Sequence, residues 1–179
     1  MFVYIKHDLL GVPMVMLPYV LIVLFGISEL SDAFDGFVAR RYNQVTDLGK
    51  ILDPMADSIY RISVFLTFTR PPIEVPLLLV FIFLYRDSVI SSLRTICALR
   101  GFALAARASG KIKAVIQAGS IFVILLLMIP FSVGLISLDT LQNSAIIVVA
   151  IAAVYALYSG IEYIYANRDF VAKLLVSEQ

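Results

Sequence analysis

Five apolar stretches constrain this chain more than anything else in it. Residues 11–30, 49–69, 75–99, 111–135 and 145–165 each come close to the roughly 20 residues that carry a helix across a hydrocarbon core. A backbone amide in a bilayer has no water to bond, so a spanning segment is either a helix or a strand of a closed barrel. No strand-like alternation of apolar and polar residues occurs, which leaves helices. Composition agrees: 61% of the 179 residues are hydrophobic and 15% charged. An average soluble domain is about half apolar and about a quarter charged. The sequence therefore reads as an all-α, polytopic membrane helix bundle with five spanning helices. A single membrane domain is expected over 11–168, between a stub at 1–10 and a polar tail at 169–179.

The connections follow from the breakers and polar runs. The first helix runs past its apolar stretch to about Tyr42, and 43–48 is a turn. Arg70-Pro71-Pro72 stops the second helix, because the residue before a proline is pushed out of helical geometry. Residues 100–110 read as a loop or interfacial segment, and 139–144 as a polar turn before the fifth helix. Arg40, Arg41 and Lys50 fall on one side of the bundle, with Arg100, Arg107, Lys111, Lys113, Arg168 and Lys173. The other side carries only Lys6 and Arg70. By the positive-inside rule the basic side faces the cytoplasm, so the chain is expected in the cell (inner) membrane.

Some chemistries are excluded early. Cys97 is the single cysteine, so there is no intrachain disulfide and no cysteine metal cluster. His7, the single histidine, sits in the stub, which argues against histidine catalysis. A formal net charge of +1 gives no reason to expect a nucleic-acid partner.

Residues 32–57 hold four carboxylates in an otherwise greasy chain. Asp32 and Asp35 are three apart, and Asp53 and Asp57 are four apart. On a helix either spacing puts both side chains on one face. Two helices joined by a short turn can then aim four carboxylates at one point. Oxygen-only donors suit Mg2+ or Mn2+ rather than zinc. Two such cations would offset the mutual repulsion, and paired cations recur in phosphoryl chemistry. Gly36 and Arg40 lie beside them, a glycine that admits a ligand to the backbone and an arginine that suits a phosphate. Gly36 suits helix packing equally, and Arg40 suits an interfacial anchor.

A second, basic set lies further on. Arg86 and Arg94 are eight residues apart, roughly one helix face, and Lys111 and Lys113 open the fourth helix. Such a cluster suits an anionic alcohol, and the two lysines also suit lipid headgroups. Arg86 and Asp87 are neighbours and could form a structural pair, although adjacent helical residues point in different directions.

The stretch Asp32-x2-Asp35-Gly36-x2-Ala39-Arg40-x8-Gly49-x3-Asp53-x3-Asp57 resembles the CDP-alcohol phosphatidyltransferase family at every fixed position. That resemblance implies two Mg2+ or Mn2+ ions on Asp32, Asp35, Asp53 and Asp57. It implies that Asp57 is also the base, and that Gly36, Arg40 and Gly49 hold the CDP group. Arg86-Asp87 through Arg94, then Gly110-Lys111-Ile-Lys113 and Gln117, is similar to the members that join sn-glycerol 3-phosphate to CDP-diacylglycerol. In those members the residues matching Arg86, Arg94, Lys111 and Lys113 hold the acceptor phosphate. Asp87 stands where they usually have Glu, and Ala114 where they usually have Thr. The alternatives are a member using phosphatidylglycerol as acceptor, giving cardiolipin, and a truncated, non-catalytic membrane protein. The family normally has six spanning helices, so the resemblance implies either that the true start lies upstream or that this version lacks the first helix. It also implies a homodimer in contact with membrane lipids.

Overall fold

The computed structural model describes residues 15–42, 47–99 and 107–168. Five helices follow one another: α1 (Leu17–Arg41), α2 (Asp47–Thr67), α3 (Leu77–Leu99), α4 (Ala108–Ser132) and α5 (Leu138–Ala166). The expected stub and tail, and the basic residues Arg100 and Lys173, lie outside the described residues. Among the described residues there is no strand, and the helix count matches the apolar stretches. Helices α1, α4 and α5 contain segments long and apolar enough to cross a membrane. The other two, 21 and 23 residues long, are of spanning length but carry the charges of the site. The fold is thus a polytopic helical membrane bundle.

Helix α5 runs along α4 and α3, α2 along α3, and α1 along α4, with a lighter contact between α2 and α4. Ala145, Ala152, Ala153 and Ala156 form the buried face of α5. Small side chains let neighbouring backbones approach, and in a membrane that close packing replaces the hydrophobic drive to associate. On the α2–α3 seam the rings of Phe65 and Phe83 meet with centroids 4.8 Å apart. Large apolar side chains such as Leu78, Val115, Ile151 and Ile161 point outward along the spans. A soluble surface would not sustain so much exposed apolar area, whereas lipid accepts it.

The helix ends differ from expectation in one place. Helix α5 begins at Leu138, so residues 139–144 form its first turns instead of a polar turn. Ser137 is the reason: its Oγ accepts from the Thr140 amide at 3.2 Å, and Asp139 lies in the positively polarised first turn. Helix α4 likewise starts at Ala108, inside the expected loop. It stops where Leu135 N–H reaches back to Pro130 O at 2.8 Å and Gly134 N–H to Phe131 O at 3.0 Å. Gly134 has φ +74°, the left-handed geometry this helix-ending motif requires. At that end Gln142 Nε2 donates to Pro72 O at 3.0 Å, tying the α2–α3 connection to α5. The opposite end gathers the chemistry.

Candidate active site

Asp32 and Asp35 lie on the C-terminal half of α1, both exposed, and Asp53 and Asp57 on the N-terminal half of α2, the first exposed and the second half-buried. Gly36 and Gly49 are half-buried on the same two helices. Arg40 falls one turn beyond Gly36 in α1, and its side chain lies outside the described residues. Asp57 is within electrostatic reach of Asp32 and Asp53 and of the cations Arg61 and Lys113. Three of the four carboxylates thus share one locality, contributed by two helices. All the donors are carboxylate oxygens, the chemistry that hard divalent cations take. Among the described residues, no three His, Cys, Asp or Glu side chains stand close enough together to hold an ion as a ready cluster.

The basic set is built around an acid. Lys113 Nζ donates to Asp87 Oδ1 and Oδ2, each at 2.8 Å, linking α4 to α3. Arg86 Nη1 donates to the same Oδ1 at 2.9 Å. The pair of sequential neighbours that the sequence left open does therefore form. The flexible arginine stem folds back to a carboxylate that is 7% exposed and would otherwise be left with one partner. The trio carries one net positive charge in a buried place. Arg94 Nε donates to Tyr163 Oη at 3.1 Å, with its guanidinium carbon 5.2 Å from that ring's centre. Lys111 is exposed in the first turn of α4. Lys113 also lies within electrostatic reach of Arg86 and Arg61. The acidic and basic sets, far apart in sequence, are thus within electrostatic reach of each other through Lys113 and Asp57.

Two features were not singled out from sequence. Arg61, one turn beyond Asp57, approaches Glu29 of α1 with Nη2 to Oε2 at 3.6 Å. The pair lines a groove of about 510 Å³ with Phe25, Gly26, Ala114 and Ala118. The four-residue step from Asp57 to Arg61 is the same-face spacing that flagged the aspartates, so the signal was there. The other feature is the C-terminal part of α5. Ser159 accepts from Arg86, Glu162 accepts from Ser109 at 2.6 Å and pairs with Arg107, and Tyr163 meets Arg94. Their spacing marks one polar face on an otherwise apolar helix.

A model of the CDP-alcohol phosphatidyltransferase family matches residues 9–157. The chain belongs to that family. It is 30% identical over 150 residues to a protein of Rickettsia typhi named CDP-diacylglycerol–glycerol-3-phosphate 3-phosphatidyltransferase, covering 83% of this chain and 80% of that one. A Bacillus subtilis protein of the same name is 31% identical over 147 residues, covering 82% and 72%. A CMP-forming cardiolipin synthase of Streptomyces coelicolor is 38% identical, but over 69 residues, 38% of this chain and 32% of that one.

Proposed function

We propose that the chain transfers the phosphatidyl group of CDP-diacylglycerol to sn-glycerol 3-phosphate, releasing CMP and forming phosphatidylglycerophosphate. The observation that carries this reading is the buried cationic set of Arg86 and Lys113 around Asp87, with Lys113 within electrostatic reach of Asp57, the carboxylate proposed as base. The names of relatives that match over four-fifths of the chain support it. A buried basic set also suits a small phosphorylated alcohol better than a second lipid.

In this reading Gly36, Arg40 and Gly49 seat the CDP group, and Arg86, Arg94, Lys111 and Lys113 the acceptor phosphate. An acceptor hydroxyl oxygen attacks the lipid-side phosphorus, and the bond from that phosphorus to the CMP oxygen breaks. The hydroxyl proton passes to the Asp57 carboxylate, and CMP leaves with the electron pair. Asp32, Asp35, Asp53 and Asp57 would hold two Mg2+ or Mn2+ ions, which when bound offset charge on the diphosphate and on departing CMP. The basic ends of the helices face the cytoplasm, where the water-soluble substrate and product are.

The test is CMP release by the purified protein from CDP-diacylglycerol with a panel of acceptors. Release with sn-glycerol 3-phosphate is expected. Release with phosphatidylglycerol alone would reassign the enzyme to cardiolipin formation.

A further inference from the structure

In the proposed reaction the last helix has no task, yet one face of it holds both arginines. Ser159 Oγ accepts from Arg86 Nη2 at 3.0 Å and is itself fully buried, anchored by its own bond to Ala156 O at 3.0 Å. At Gly160 a Cβ would stand 3.0 Å from Arg86 Cγ, so the arginine stem lies on the bare face of that glycine. Tyr163, 1% exposed, takes Arg94 Nε on its hydroxyl and stacks its ring under the guanidinium. N–H groups remain for a ligand. They are the terminal nitrogens of Arg94, which have no partner among the described residues, whereas Arg86 gives its terminal nitrogens to Asp87 and Ser159 and buries its Nε against Gly160.

We propose that Ser159, Gly160 and Tyr163 are positioning residues for acceptor binding. Ser159 and Gly160 seat Arg86, Tyr163 seats Arg94, and α5 thereby fixes the placement of the two guanidiniums assigned to the acceptor pocket. This rests on the reading that these arginines hold the acceptor. An arginine held in its binding rotamer loses less freedom when the phosphate arrives, so loosening it weakens affinity by about 3- to 10-fold.

The test uses the full chain in lipid nanodiscs, with Michaelis constants measured for sn-glycerol 3-phosphate and for CDP-diacylglycerol. Tyr163→Phe removes only the hydroxyl and should raise the acceptor KM about 3- to 10-fold, with less than a twofold change for the donor. Gly160→Ala, which displaces Arg86, should do the same and provides a second reading if one variant folds poorly. In an Arg94→Gln background Tyr163→Phe should add nothing further, because the two residues act through one contact. An additive effect there, or equal changes in both KM values, overturns the proposal. Wild-type turnover of glycerol 3-phosphate with both variants unchanged overturns it alone. No wild-type turnover with glycerol 3-phosphate rejects the reaction assignment and the positioning role together.

Discussion

Lys113 of α4 places its ammonium 2.8 Å from both carboxylate oxygens of Asp87 on α3, with both side chains nearly out of solvent. Arg86 shares that carboxylate. A lone buried charge is costly, so two cations around one acid form a unit that cannot lose its acid cheaply. Asp87 is accordingly a folding residue as much as a site residue.

Asp87→Asn should therefore destabilise the bundle by about 3 kcal/mol or more, because Arg86 and Lys113 are left facing each other. Thermal unfolding of detergent-solubilised protein checks this. Adding Lys113→Met to Asp87→Asn should recover part of the loss, and no recovery would mean that the charge balance is not what matters there.

The split between donor and acceptor pockets is tested by two arginines. Arg94→Gln should raise the KM for glycerol 3-phosphate by about 10- to 150-fold, the worth of a charge-assisted contact, and leave the KM for CDP-diacylglycerol nearly unchanged. Arg40→Gln should do the reverse. Arg94 is a cleaner probe than Lys113, since Lys113 also balances Asp87. Parallel changes in both constants would reject separate pockets.

How much of this was legible beforehand depends on what lipid dictates and what side chains choose. Five helices could be counted because a bilayer forces apolar stretches into helices. The start of α5 was misplaced because Asp139 to Ser144 look like a turn by polarity, while Ser137 makes them a capped helix start. The aspartates of α1 and α2 were visible through spacing alone. The Arg86–Asp87 contact was legible only as one option, since helical geometry separates neighbouring Cβ atoms and a long stem undoes that separation. The bond of Lys113 to Asp87 was not legible, being a tertiary relationship across α3 and α4 that no local pattern encodes.

Metal dependence follows from the donor set. With oxygen donors alone, EDTA should abolish turnover and Mg2+ or Mn2+ should restore it, while Zn2+ should be a poor substitute. Full turnover in chelated buffer would contradict a cation role for Asp32, Asp35, Asp53 and Asp57.

The most direct measurement is the formation of phosphatidylglycerophosphate, together with CMP, by wild type and by Asp57→Asn in the same assay. Asp57→Asn keeps the size of the side chain and removes the proton acceptor, a loss worth at least about 100-fold in rate. Wild type should give equal amounts of both products, and the variant a turnover at least about 100-fold lower. Near-normal turnover by Asp57→Asn, or CMP from wild type without phosphatidylglycerophosphate, would contradict the proposed chemistry.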